Sequence, residues 1–210
     1  MPGELVVFGS GGHAKVVIEA IRARDPQREI HIVDDRPDVI GRSVLGISVA
    51  GAREWLAKNV PGAPVALGIG DNRARLEVLD WLVSQRRSLE TIVHPSAVVG
   101  ATVEIGAGSF FSAGAIAIAE AKIGRGAIIN TGASVDHDCV IGDGAHIGPG
   151  VRLCGNVKIG ARTLIGVGSS VRPGIGIGAD AVVGAGSAVV SDLADGGTYC
   201  GCPARALPSA

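Results

Sequence analysis

The stretch INTGASVDHDCVIGDGAHIGPGVRLCGNVKIG occupies positions 129–160. Every sixth residue in it is aliphatic: Ile129, Val135, Ile141, Ile147, Leu153 and Ile159. The same register runs back through Ile123, Ala117, Phe111, Ile105 and Val99, and on through Ile165, Val171, Ile177, Val183 and Val189. A repeat held without a slip over about ninety residues specifies a stacked architecture before any local propensity is considered.

The residue after an anchor is often Gly, as at positions 106, 124, 142, 160 and 178, and again at 148, 166 and 184. These two series each step by 18, so three hexads make one turn. Four residues after an anchor the side chain is usually small, as in Ser109, Ala115, Ala127, Ala133, Cys139 and Thr163. Three short faces per turn, with sharp glycine-rich corners and inward aliphatic anchors, predict a triangular parallel β-helix of about five coils. Its backbone hydrogen bonds must run between coils, because a two-residue strand has no other partner.

Composition agrees. Apolar residues are 47% of the 210 positions but aromatics only 3%, so the core is built from small aliphatic side chains. Glycine, at 33 residues, is more than twice as frequent as the usual ~7%. The formal net charge of −1 gives no electrostatic case for nucleic acid. No apolar run is long enough to insert in a membrane, and the N-terminus has no basic stretch ahead of an apolar one. Cys139, Cys154, Cys200 and Cys202 lack metal spacing and read as reduced thiols of a cytoplasmic chain.

The first ninety residues have a different grammar. LVVF (5–8) reads as a buried strand, GSGGH (9–13) as a glycine-rich turn and AKVVIEAIRAR (14–24) as a helix. A second strand is EIHIV (29–33), ending at Asp34-Asp35. A helix over 52–59, a strand over 64–68 and a helix over 73–85 follow. Alternating strand and helix predict a small parallel sheet with helices on its faces, an α/β Rossmann-like domain over residues 1–92, followed by the β-helix over 93–210. The turn fits G-x-G-x-x-A with Gly9, Gly11 and Ala14, and Gly12 and His13 follow it into the helix. Such a turn lets main-chain N–H groups approach a phosphate, and Asp34 or Asp35 stands where an acidic residue meets a ribose. A unit of this size is half of a dinucleotide fold, so a mononucleotide or nucleotide sugar fits it better.

The hexads resemble those of the hexapeptide-repeat acyltransferases, and that resemblance implies a left-handed coil. FGSGGHAKVV, IVDD, GIGDN, HPSA, VDHDC, GNVKIG and GCPARAL together resemble the sugar O-/N-acyltransferases. These include sialic-acid O-acetyltransferases and N-acetyltransferases of nucleotide-linked 4-amino-4,6-dideoxy sugars. The resemblance covers essentially the whole chain. It implies acetyl-CoA as donor, no metal, and a homotrimer with active sites between neighbouring prisms. It also implies His137 as general base and Asp138 as its acidic helper, where some members carry Glu. Asn130 would meet the sugar, and Gly11, Gly12, His13, Asp34 and Asp35 the nucleotide. His146, the Gly155 N–H, Gly166, Gly184 and Arg205 would lie along the donor.

The chemistry of the residues agrees with that assignment. Acyl transfer to an amine or hydroxyl needs a base that titrates near neutrality, and a neighbouring carboxylate can orient its ring. His137, two residues past Val135, can project from the prism without disturbing the stack. Asp136 and Asp143 read as solvated turn residues, and Cys139 and Cys154 as packing. The leading expectation is N-acetylation of a nucleotide-linked amino sugar, with O-acetylation of sialic acid as the alternative. A γ-type carbonic anhydrase would need three histidines at a zinc, but the repeats offer His137 and His146, with His94 nearby. A nicotinamide oxidoreductase would leave the repeats unexplained, and a scaffold would not need a His–Asp pair.

Overall fold

The structure is a computed structural model that describes residues 3–208. Its chain divides into two compact units, one ending at Pro95 and one beginning at Ser96.

The first unit is a sheet flanked by helices. The strands β1 (Leu5–Phe8), β2 (Ile30–Val33), β3 (Ser43–Val44), β4 (Ile47–Gly51) and β5 (Val65–Leu67) lie in the order β3-β4-β2-β1-β5. β1 runs parallel to both β2 and β5, as a βαβ unit requires. All four residues of β1 are buried, where this strand lies between β2 and β5. Helix α1 (Gly12–Arg24) buries Val17, Ile18 and Ile21. Helices α2 (Arg53–Asn59) and α3 (Asn72–Ser84) close a second cluster in which Leu56, Leu79 and Leu82 meet Phe8 and Val65.

The sheet is not wholly parallel, as the sequence had suggested. β3 and β4 form an antiparallel hairpin on its edge, pairing Val44 with Ile47. The turn is Leu45-Gly46, both with positive φ, at 48° and 83°.

The second unit is the left-handed parallel β-helix. Sixteen two-residue strands from Val98–Val99 to Ala188–Val189 fall on three faces in strict rotation. Each strand pairs in parallel with the one 18 residues away, for example Lys122 with Val140 and Ile123 with Ile141. The bonds between coils are short: Lys122 N–H to Cys139 O is 2.8 Å and Gly124 N–H to Ile141 O is 2.7 Å. From Phe111 to Val189 every hexad anchor is buried. A buried Ile or Val contributes roughly 1.5–3 kcal/mol relative to exposure, so the axial stack dominates the energetics of this unit.

The small-residue positions also point inward. Where they carry a hydroxyl it is spent on the main chain: Ser109 Oγ donates to Gly124 O at 2.7 Å and Thr163 Oγ1 to Gly178 O at 2.6 Å, each 15 residues on, while Ser187 Oγ donates back to Gly184 O at 2.7 Å. Cys139 makes the same contact with sulfur, Sγ to Cys154 O at 3.2 Å. Its thiol is fully buried, and burial pushes its pKa up, as expected of a packing residue.

Two kinds of glycine do different work. Gly142 lies where the coils approach, and a Cβ there would strike the backbone at Ala161. Gly132 sits at a corner with φ of +64° and open space around it. Gly142→Ala is therefore expected to lower stability by about 3 kcal/mol or more, as backbone overpacking does. Gly132→Ala should cost about 1–2 kcal/mol, the penalty of a side chain in the left-handed region. Thermal unfolding of the two variants separates them, and equal losses would contradict this division of labour.

Candidate active site

The turn after the Ser134–Val135 strand carries the histidine and carboxylates that stand out in the repeat. Asp136 Oδ1 accepts the backbone N–H of His137 at 2.8 Å. His137 Nδ1 lies 2.8 Å from Asp138 Oδ2. A carboxylate only accepts, so Nδ1 carries the proton and Nε2 presents its lone pair outward. Hydrogen bonding to Asp138 raises the pKa of His137 above its ordinary value, desolvation opposes it, and the charges of Asp136 and Asp138 add to the rise.

Asp138 reaches the ring although it is one methylene shorter than Glu. It does so from a corner backbone with φ of +58°. Asn156, one coil on, has the same φ, and its N–H bonds to His137 O at 2.8 Å. Gly155 lies directly beneath the imidazole, and a Cβ there would overlap Cε1 and Nε2. The histidine is thus held by its own turn and seated on the next coil.

Asn130 and His146 form a second group, on a different face of the prism. Their strands, Ile128–Ile129 and His146–Ile147, are paired neighbours. Asn130 Oδ1 accepts the Thr131 N–H at 2.8 Å, so its Nδ2 is the group facing His146 Nε2 at 2.9 Å. Asn130 Nδ2 is thus placed to donate to His146 Nε2.

Gly166 and Gly184 sit where coils approach closely. A Cβ at Gly166 would strike Val183 O, and one at Gly184 would press on the Cys200 side chain. Their glycine identity is thus explained by packing between coils. Arg205 opens a short strand antiparallel to Cys200, and Nη1 bonds to Ala204 O at 2.9 Å.

In the first unit a cavity of about 410 Å³ opens at the C-terminal ends of β1, β2 and β5. Gly11, Gly12, His13, Asp34 and Asp35 all line it, so the structure brings the predicted nucleotide residues together. Phe8, Ile69, Ala74 and Val78 give it an apolar wall. The N-terminus of α1 has Gly11 as its cap, with no side-chain cap bond and no acidic residue in the first turn. α3, by contrast, is capped by Asp71, which accepts the Ala74 N–H at 2.8 Å. The α1 terminus keeps the character of an anion seat.

Asp35 is held by Arg53, whose Nε donates to Oδ2 at 3.0 Å and whose guanidinium lies 4.7 Å above the Trp81 ring. Asp34 is buried, and burial alone would raise its pKa. Hydrogen bonds from Arg36 and Ser10 overcome this and hold it at about 2.

One residue that lines this cavity and one that supports its wall escaped the sequence reading. Arg36 lines it with its guanidinium bonded to Asp34. Arg75 is buried beneath the Ile69–Asn72 loop, donating to the carbonyls of Ile69 at 3.1 Å and Gly70 at 3.0 Å and to Asn72 Oδ1 at 2.8 Å. Burial pushes the Arg75 pKa down to about 10, with Asp71 opposing the shift. An arginine at i+3 from the Asn of GIGDN was the available signal, but its helical spacing reads as an ordinary solvated face.

A prism carrying a His–Asp pair at a corner, preceded by an α/β unit with an anion-seating cavity, defines a hexapeptide-repeat acyltransferase with a nucleotide-type N-terminal domain. A family model described as the PglD N-terminal domain matches residues 4–82, and one described as bacterial transferase hexapeptide (six repeats) matches residues 120–155. A histidine-to-asparagine variant of perosamine N-acetyltransferase from Caulobacter crescentus, solved with CoA and GDP-perosamine, is 42% identical, with a TM-score of 0.93 over 100% of this chain and 99% of that one. The acetyltransferase domain of PglB from Neisseria gonorrhoeae, solved with acetyl coenzyme A, is 37% identical, with a TM-score of 0.92 over 97% and 98%. UDP-N-acetylbacillosamine N-acetyltransferase of Bacillus subtilis is 36% identical over 119 residues, a match spanning 52% of this chain and 51% of that protein. The chain belongs to the PglD-like family of hexapeptide-repeat sugar N-acetyltransferases.

Asp138→Asn keeps a residue that tolerates positive φ but removes the charge facing the imidazole. An NMR titration of the His137 Cε1–H is expected to give a wild-type pKa above the ordinary histidine value and a lower one in the variant. Coincident titration curves would show that Asp138 does not govern the ring.

Proposed function

We propose that this chain transfers the acetyl group of acetyl-CoA to the 4-amino group of a nucleotide-linked 4-amino-4,6-dideoxy sugar, with His137 as general base. The observation that carries the proposal is the His137 Nδ1–Asp138 Oδ2 bond, which fixes the tautomer and leaves Nε2 to take a proton. Nε2 accepts the proton of the amine as its nitrogen attacks the thioester carbonyl. Asp138 stabilises the imidazolium that results. The tetrahedral intermediate collapses with loss of the CoA thiolate, and the proton held at Nε2 protonates that sulfur. The Gly155 N–H, beside the ring, is the donor proposed for the oxyanion, a contact that can be worth roughly 3–4 kcal/mol.

His137 and the Asn130–His146 pair stand on different faces of one prism. A single site using both needs a neighbouring copy, which supports a homotrimer with its sites between prisms. Asn130 would then meet the sugar and His146 the donor, with Gly166, Gly184 and Arg205 along the CoA. The cavity of the first unit suits the nucleotide: the α1 terminus takes phosphate and the Phe8–Ile69 wall takes apolar surface. This supports a nucleotide sugar over free sialic acid, which has no group to fill that cavity. Four free thiols suit a reducing, cytoplasmic setting, and among the described residues no helix is long and apolar enough to cross a membrane.

Thiol release from acetyl-CoA, followed with UDP-, GDP- and dTDP-linked amino sugars and with sialic acid, tests the reading. One amino sugar is expected to turn over. His137→Ala should lower kcat by roughly 10²–10⁴-fold with little change in either KM. Gly155→Ala, which displaces the imidazole, should cost about 10²-fold in kcat. The base must be neutral, so the acid limb of kcat/KM follows the raised pKa of His137, and Asp138→Asn should move that limb to lower pH. Turnover of sialic acid alone would establish the O-acetyl reading, and full activity of His137→Ala would remove the base assignment.

A further inference from the structure

Asp34 directly follows β2, where an acidic residue of a nucleotide-binding unit commonly faces a ribose. In this chain both of its oxygens are spent on the protein. Oδ2 accepts the Ser10 N–H at 2.9 Å, the Ser10 hydroxyl at 2.7 Å and Arg36 Nη2 at 3.0 Å. Oδ1 accepts the Arg36 N–H at 3.0 Å and Nε at 3.1 Å. Arg36 Nη2 also donates to Ser10 Oγ at 3.2 Å. The carboxylate is 9% exposed, whereas the arginine side chain is 58% exposed and lines the cavity.

The guanidinium is gripped along its Nε–Nη2 edge, which leaves Nη1 on the open side. A side chain that would otherwise sample many rotamers is held in one aim beside Ser10, one residue before the α1 cap. A helix N-terminus offers only about half a positive charge, well short of what a diphosphate carries. Arg53, the partner of the cavity-lining Asp35, is committed to that carboxylate and stacked on Trp81.

We propose that Arg36 is the diphosphate-contacting residue of this pocket and that Asp34 is a positioning residue for it, not a ribose ligand. The assignment rests on the nucleotide-sugar reading above and deepens it. It makes the pocket select for the number of phosphates on the ligand, through the α1 N–H groups and Arg36 together.

The test is calorimetric binding of a nucleoside, its monophosphate and its diphosphate, in the uridine, guanosine and thymidine series, to wild type, Arg36→Met and Asp34→Asn. Arg36 is exposed, so Arg36→Met should fold as the wild type does. It is expected to weaken the diphosphate by about 10–100-fold and the nucleoside by less than twofold, collapsing the preference for the diphosphate. Asp34→Asn should reproduce that pattern in weaker form, with Arg36 present but no longer aimed. Equal weakening of nucleoside and diphosphate by Arg36→Met, or no weakening of either, would overturn the assignment while leaving the nucleotide site intact. Failure of the wild type to bind any of the diphosphates would instead overturn the nucleotide-sugar reading itself, and Arg36 with it.

Discussion

The 18-residue register between coils is the constraint on which the second unit depends. A strand of two residues cannot hold its partner by length, so it is held by stacking. The strands of each coil donate N–H groups to the coil that follows, as Lys122 does to Cys139 O and Gly124 to Ile141 O, while corner N–H groups such as that of Asn156 bond back to the coil before. The aliphatic anchors pile along one axis beneath those bonds. A slip of one residue would turn every anchor outward at once, which is why the register is kept so strictly. The glycines after the anchors follow from the same close approach, since a Cβ at Gly142 would strike Ala161. The placement of the base follows too. His137 is seated by Gly155 because the two are 18 residues apart, and so lie on one column of one corner.

How much of this could be read from sequence differs between the units. The β-helix was legible in full outline, because its period is a physical repeat and not a sum of weak propensities. The α/β unit was legible in its helices and in the strands β1, β2 and β5. The edge hairpin was not. β3 is two residues long, and its turn is Leu45-Gly46, with Leu at positive φ in place of the Asn or Asp that signals such a turn. The Arg22 guanidinium bonds to Leu45 O at 3.1 Å, so part of what holds this turn comes from α1 and lies outside any local window.

The candidate site was legible where chemistry and spacing coincide. His137 with Asp138, and the glycine-rich turn with His13, could be picked out by residue type alone. What could not be seen was which polar groups are already spent. Asp34 and Asp35 looked equivalent as ribose ligands, yet each is tied to a different arginine, Arg36 and Arg53. Nothing in the sequence singles out Arg75 within its helix, yet it is buried under the loop that lines the cavity. Hydrogen-bond satisfaction is a property of the folded neighbourhood, and a linear sequence does not carry it.

The residue at position 138 shows the two levels meeting. Its corner column holds Glu120, Asp138, Asn156 and Gly174, all with positive φ. The backbone there is set by the coil and not by the side chain. Asp is among the few residues other than Gly that adopt this conformation readily, so it suits the corner on conformational grounds alone. In the same turn its carboxylate lies 2.8 Å from His137 Nδ1. The strain that an L-residue meets at this corner is thus converted into the orientation of the base. A longer Glu has one more side-chain torsion to fix before it meets the imidazole, so Asp loses less side-chain entropy in making this bond. At this position the fold's demand and the demand of the chemistry select the same side chain.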